Sequence, residues 1–224
     1  HHSAGWETIS SPEVFIGVAA ERTKNIMLGT GVASLPYHHP LMLTNRMILL
    51  DHLTRGRVML GVGPGALVSD AYALGIPPNL QRPRMDEAIG IIKRLLTETE
   101  PITYESDWFT LKEALPHLQP YSSPHFPIAV AAAQSPSGMV AAGKYGLGVL
   151  SVSVIRGASI TSSLADFWAI AEETAEQYGQ TVDRNEWRIV VQAHIAETKK
   201  EAFEQVREKS AAYQYDYFHQ TMGL

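Results

Sequence analysis

Apolar positions along the chain follow two alternating rhythms. Three- and four-residue spacing marks helices, and short continuous apolar runs mark buried strands. Ser10-Ser11-Pro12-Glu13 sets a hydroxyl, a first-turn proline and an early acid ahead of a helix that reaches about residue 22. Residues 26–34 read as a buried strand. Residues 40–54 read as a helix with apolar positions at Leu43, Met47, Leu50 and Leu53. Gly56 breaks that helix, residues 57–62 form the next strand, and a long loop follows. Residues 82–97 are amphipathic through Met85, Ala88, Ile89, Ile92 and Leu96. Residues 101–118 read as a hairpin with arms at 102–104 and 108–110. Strands at 128–133, 147–154 and 187–195 then alternate with helices at 137–144, 163–178 and 199–217.

Five predicted strands thus alternate with six helices, the pattern of a parallel α/β sheet. Residues 1–10 form a loop ahead of the first helix, as expected at the exit of a strand. A closed (β/α)8 barrel needs eight strands. Two before His1 and one after Leu224 would complete it. The expected fold is therefore an incomplete (β/α)8 TIM barrel, one domain over residues 1–224 with a hairpin excursion near 100–120. An open doubly wound sheet is the alternative that five parallel strands also allow.

Composition narrows the function. Of 224 residues, 45% are hydrophobic, enough for one sizeable core. A net charge of -5 argues against a nucleic-acid surface. No apolar run approaches the roughly 18 residues of a membrane span. The absence of cysteine excludes disulfides and thiolate chemistry and fits a cytoplasmic protein. The histidines lack metal-ligand spacing, so no metal site is read, and His38-His39-Pro40 is taken to set a loop and helix start.

Two glycine- or serine-rich strand exits carry the candidate chemistry. Gly61-Val62-Gly63-Pro64-Gly65-Ala66 formally matches a dinucleotide fingerprint. That fingerprint needs a helix at once, and here Pro64 leads into a long stretch ending in Ile76-Pro77-Pro78-Asn79, so it is set aside. Gln134-Ser135-Pro136-Ser137-Gly138-Met139 follows a strand and opens a helix. Ser135, Ser137 and Gly138, with helix amides, form either a phosphate site or an ordinary N-cap. Trp6, Trp108 and the run Tyr213, Tyr215, Tyr217, Phe218 read as core, hairpin or subunit-contact residues.

Residues 30–40, Thr-Gly-Val-Ala-Ser-Leu-Pro-Tyr-His-His-Pro, followed by Leu50-Asp51-His52-Leu53-Thr54-Arg55-Gly56-Arg57, resemble the flavin-dependent, bacterial-luciferase-like monooxygenases. His1-His2-Ser3-Ala4-Gly5-Trp6 and Gly61–Ala66 are similar to their limonene-monooxygenase-like branch. A leading histidine pair is often a tag remnant. Here the Ser-Ala-Gly-Trp that follows matches the family's second-strand exit.

The resemblance implies a (β/α)8 barrel holding reduced FMN, with FAD or the deazaflavin coenzyme F420 as other cofactors of the same barrel. It implies transfer of one oxygen atom from O2, through a flavin C4a-hydroperoxide, to a small apolar terpene, alkane, ketone or aldehyde. An F420-dependent oxidoreductase and a non-catalytic flavin-binding paralogue are the alternatives. His1 is the implied proton-transfer residue, suited to it by a histidine's ordinary pKa of about 6.5. Val32, Ala33 and Ser34 would support the flavin ring near a non-proline cis peptide. Gly61, Gly63 and Gly65 would let the ring lie against the backbone. Ser135, Ser137 and Gly138 would hold its phosphate. Relatives often carry an arginine where Pro64 stands, so Arg82 or Arg84 is expected to supply that charge, unless it pairs with Asp86 or Glu87. A separate NAD(P)H:flavin reductase and a homodimer through the helices at 11–22 and 40–54 complete the implied partners.

Overall fold

The computed structural model describes residues 1–132, 136–152, 164–191 and 193–221. Its main sheet is parallel and curled, in the order β1 (Leu28–Gly29), β3 (Val58–Gly63), β6 (Ile128–Ala131), β7 (Gly148–Val152), β8 (Trp187–Val190), with β2 (Ala33–Ser34) also pairing with β3. α1 (Pro12–Arg22) precedes β1, and α2 (Pro40–Thr54), α3 (Val68–Ala73), α4 (Pro78–Thr97), α5 (Ser137–Tyr145) and α6 (Leu164–Gln177) lie between the strands. α7 (Lys199–Tyr213) follows and continues as a π-helix over Gln214–Thr221. The expected hairpin is present as β4 (Ile102–Glu105) and β5 (Thr110–Ala114), paired antiparallel. This curled parallel sheet with helices on its outer side is an incomplete (β/α) barrel.

Register explains which face is buried. Val62, Val130, Val149 and Trp187 stand side by side across four strands, and the three valines are at most 1% exposed. They join Leu43, Met47, Ile89, Ile92, Met139 and Ala142 of the helices in one core. The next row on the opposite face is Gly61, Ala129 and Gly148. Side chains on a strand alternate faces, so the core is bulky outside the curl and small inside it.

Four expectations change, the first being that the strand read over 187–195 ends at Val190. The strand expected over 26–34 is split into β1 and β2. Gly29 pairs with Met59 and Ala33 with Val62, so this chain carries one extra residue between the pairs, as at a bulge. The Thr30 hydroxyl donates to the Gly61 carbonyl at 2.7 Å and accepts the Gly61 N–H at 3.0 Å, standing in for the missing ladder bonds. The long loop after β3 contains the short helix α3, held by Asp70, which is 1% exposed. α4 begins four residues earlier than read, at Pro78 in the first helical position, and passes through Pro83. Proline is tolerated at a helix start because the first amides have no intrahelical acceptor.

The Thr54-Arg55-Gly56-Arg57 turn has a physical reason. Arg55 and Gly56 both adopt positive φ and end α2. The Arg57 guanidinium then donates to the carbonyls of Ala20, Thr23 and Ile26, closing the end of α1. These contacts fix the N-terminal ends of β1 and β3, opposite the strand exits from which the site is built.

Candidate active site

The C-terminal ends of β1, β2, β3 and β6 open into a cavity of about 920 Å³. Its walls include His1, Val32, Ala33, Ser34, Gly65 and Ser137, six of the residues expected in a site. Gly61 and Gly63 lie within β3 and do not line it. A Cβ on Gly61 would stand 2.1 Å from the Thr30 carbonyl oxygen, and one on Gly63 2.7 Å from a Val32 methyl. Close strand approach therefore requires both glycines. Gly138 is likewise pressed against the Ala131 carbonyl under the start of α5. Ser135 lies outside the described residues.

The N-terminal segment is pinned by one buried carboxylate. Asp70 accepts from the His1 ring Nδ1 at 2.9 Å, from the His2 backbone N–H at 3.1 Å and from the Ser3 hydroxyl. Because Asp70 accepts at Nδ1, neutral His1 presents the lone pair of Nε2. That nitrogen stands 3.4 Å from the Tyr217 hydroxyl and 3.9 Å from a Glu7 carboxylate oxygen. Burial, then the hydrogen bond to Glu7 and its charge, raise the Tyr217 phenol well above the usual tyrosine range. Tyr217 therefore stays protonated beside His1.

The loop after β3 is fixed from below. Gln81 donates from Nε2 to the Tyr37 hydroxyl at 2.9 Å and to the Pro64 carbonyl at 3.1 Å. Gly65 has φ +92°, and a Cβ there would meet the Tyr37 hydroxyl at 2.3 Å, so only glycine fits. Burial, followed by the Asp70 charge, raises Tyr37, with the Gln81 hydrogen bond opposing.

The two arginines separate. Arg84 donates to Asp107 at 3.1 Å and lies over the Trp108 ring, tying α4 to the hairpin rather than to the cavity. Its partner is thus neither of the acids expected from sequence. Arg82 lines the cavity and is the basic side chain available there. Among the described residues, no group of three or more His, Cys, Asp or Glu could hold a metal ion, and no helix is long and apolar enough to cross a membrane.

Sequence reasoning missed Asp70, His38 and Tyr217 as site residues, whereas the non-proline cis peptide expected beside Val32, Ala33 and Ser34 is present. The peptide bond between Gly31 and Val32 is cis, and Gly31 lines the cavity with no heavy atom within 4 Å of where its Cβ would be. Bare backbone at Gly31 and small walls at Gly29, Ala33 and Ala131 leave a flat recess. Ser137 at the positive end of α5, with Arg82, offers an anion site at the rim. The residues present therefore fit a planar tricyclic ring with a phosphate tail.

The fold and site are those of an incomplete parallel (β/α) barrel with a cavity of about 920 Å³ at its strand exits. The chain belongs to the luciferase-like monooxygenase family, whose pattern matches residues 1–223. It is 47% identical over 219 residues to 4-hydroxyprotoasukamycin monooxygenase of Streptomyces nodosus subsp. asukaensis, covering 97% of this chain and 59% of that protein. It is 48% identical over 207 residues to limonene 1,2-monooxygenase of Rhodococcus erythropolis, covering 92% and 52% respectively. The chain thus spans between half and three-fifths of the length of these relatives. Among solved structures, the oxygenating constituent of 3,6-diketocamphane monooxygenase from Pseudomonas putida, a type II Baeyer-Villiger monooxygenase in complex with FMN, superposes with a TM-score of 0.78. That match has 27% identity and covers 97% of this chain and 62% of that one.

Proposed function

We propose that this protein is a flavin-dependent monooxygenase that places one oxygen atom from O2 in a small, largely apolar organic substrate. The observation that carries the reading is the convergence of His1, Val32, Ala33, Ser34, Gly65 and Ser137 on one cavity at the strand exits. Family membership and the FMN held by the Pseudomonas putida relative support it. When bound, reduced FMN supplies the oxygen-activating chemistry.

The chain's own residues bind, orient and exclude water. Gly31, Ala33 and Ala131 would receive the ring face, Val32 and Ser34 would flank it, and Ser137 with Arg82 would hold the phosphate. Ser135 is added on its sequence motif, and Gly138 acts only by letting α5 start close to Ala131. Gly61 and Gly63 act indirectly, by letting the strands approach closely enough to shape the recess. Ile16 and Met85 are apolar walls that keep water from the reacting centre. His1 takes and returns a proton at Nε2, held in orientation by Asp70 on Nδ1.

The wider setting follows the same reading. Residues 1–224 are one partial barrel domain with its hairpin, and a separate NAD(P)H:flavin reductase delivers reduced flavin. The exposed apolar faces of α1 and α2 form a homodimer, and the protein works in the cytoplasm.

The test is titration of the protein with FMN and with F420, followed by aerobic turnover of limonene with reduced FMN. FMN binding with O2-dependent product formation supports the monooxygenase. F420 binding with O2-independent hydride transfer assigns the alternative. No flavin binding at millimolar concentration retires both.

A further inference from the structure

The geometry points to His38 as a ligand-binding residue of this cavity: a neutral imidazole whose Nε2–H donates a hydrogen bond to an acceptor oxygen of the molecule bound there. The flavin or substrate identity of that molecule rests on the function proposed above; the imidazole's polarity does not.

Arg46 sets the tautomer of His38. A guanidinium carries donors and no acceptor. Arg46 Nη2 stands 3.2 Å from His38 Nδ1, so Nδ1 must be the lone-pair nitrogen and the proton sits on Nε2. Arg46 is itself oriented by Glu13, whose Oε1 accepts from Nε at 3.2 Å and whose side chain is only 11% exposed. A chain from α1 through α2 therefore fixes the His38 ring. His38 lines the cavity, and its Nε2 has no partner among the described residues. The charged and titratable groups around it are Glu13, Arg46 and His2. Burial lowers its proton affinity most, Arg46 and His2 push the same way, and Glu13 opposes.

His1 is wired in the opposite sense. Its Nδ1 meets a carboxylate, which only accepts, so in its neutral form His1 carries the proton on Nδ1 and the lone pair on Nε2. One cavity thus displays two imidazoles of opposite polarity, an acceptor edge at His1 and a donor edge at His38. A pure hydrocarbon gives the donor nothing, whereas a carbonyl oxygen satisfies it. The flavin ring and a ketone substrate both carry such an oxygen. A buried donor left unsatisfied opposes binding of a ligand that lacks the acceptor.

Two measurements test this. In flavin-free protein at pH 7.5, the long-range nitrogen–proton NMR spectrum is expected to show His38 protonated on Nε2 alone. His38→Leu is expected to weaken binding by about three- to tenfold, while His38→Gln, which keeps a donor near the Nε2 position, stays within about twofold. The probes are FMN, then camphor against limonene on the FMN-loaded protein. Loss on FMN makes the flavin carbonyl the acceptor, and loss on camphor alone makes it the substrate's. A His38 proton on Nδ1, imidazolium at that pH, unchanged binding of both FMN and camphor in His38→Leu, or equal losses in the two variants overturns the proposal. Failure of the unaltered protein to bind FMN overturns the flavin reading, and the NMR measurement still decides His38.

Discussion

Nδ1 of His1 stands 2.9 Å from Oδ2 of Asp70, a contact bridging 69 residues of sequence. Asp70 is buried and also accepts from the His2 amide and the Ser3 hydroxyl, so one carboxylate organises the whole N-terminal segment. Replacing Asp70 with Ala leaves these donors without an acceptor. The expected loss is about 1–3 kcal/mol of stability, read as a lower denaturant midpoint and faster amide exchange at His2. His1→Ala keeps Asp70 and is expected to lower turnover by about 10²–10⁴-fold with flavin affinity little changed. Loss of flavin binding in His1→Ala would reassign His1 to cofactor binding.

Two glycines near the cavity are expected to respond in opposite ways. Gly31 faces open space, so Gly31→Val should fold normally and weaken FMN binding at least tenfold by occupying the recess. Gly61 faces the Thr30 carbonyl, so Gly61→Ala should cost about 1–3 kcal/mol or more through overpacking. Thermal unfolding and flavin titration on both variants separate them. A destabilised Gly31→Val with normal flavin affinity would contradict the recess.

Arg82 and Arg84 form a second pair. Arg82→Gln is expected to weaken FMN several-fold while leaving riboflavin, which lacks the phosphate, unaffected. Arg84→Gln breaks the contact with Asp107 and the stacking over Trp108, and should leave the FMN-to-riboflavin preference intact. Equal loss for both flavins in Arg82→Gln would remove Arg82 from the phosphate site.

His38 carries a pH signature in stability. Burial holds its folded-state pKa below 6.5. The unfolded chain therefore takes up this proton first as pH falls. The stability tied to neutral His38 is present above about pH 6.5 and declines as pH drops toward the folded-state value. His38→Gln should flatten the melting-temperature profile across that window relative to the parent. An unchanged slope would show that the imidazole is not held neutral.

The α1 and α2 surface predicts assembly. Val14 and Val18 on α1, and Met42 and Leu49 on α2, are each more than half exposed. Exposed apolar side chains concentrated on two packed helices are the kind of surface that a contact between copies covers. Sedimentation of the parent should show a dimer, and Val18→Glu with Leu49→Glu should show a monomer. A monomeric parent would retire the dimer.

Periodicity made the alternation of strands and helices legible, because each element buries one face against the next. It could not show the break between β1 and β2, where a Thr30 side chain replaces backbone pairing to Gly61. α3 escaped notice because it is six residues long, with Val68 and Tyr72 exposed. Pro77-Pro78 read as a loop, although prolines there start α4. In the site, His1 and Ser137 were legible as parts of local motifs at strand exits. Asp70, His38 and Tyr217 were not, since their partners come from other elements, in one case 216 residues away. Arg84 misled because its hairpin partner, Asp107, lies 23 residues on and outside any helical spacing.

Trp6 packs edge-on against Tyr213 and Tyr217 and donates to Thr221, so the π-helical segment seals the side of the cavity beside His1. Trp6 and Thr221 are 215 residues apart, so that wall exists only once two distant stretches of the chain have met. Cofactor loading then waits on both stretches, and removing residues 213–221 would leave His1 and His2 in place with no enclosed chamber to put them in.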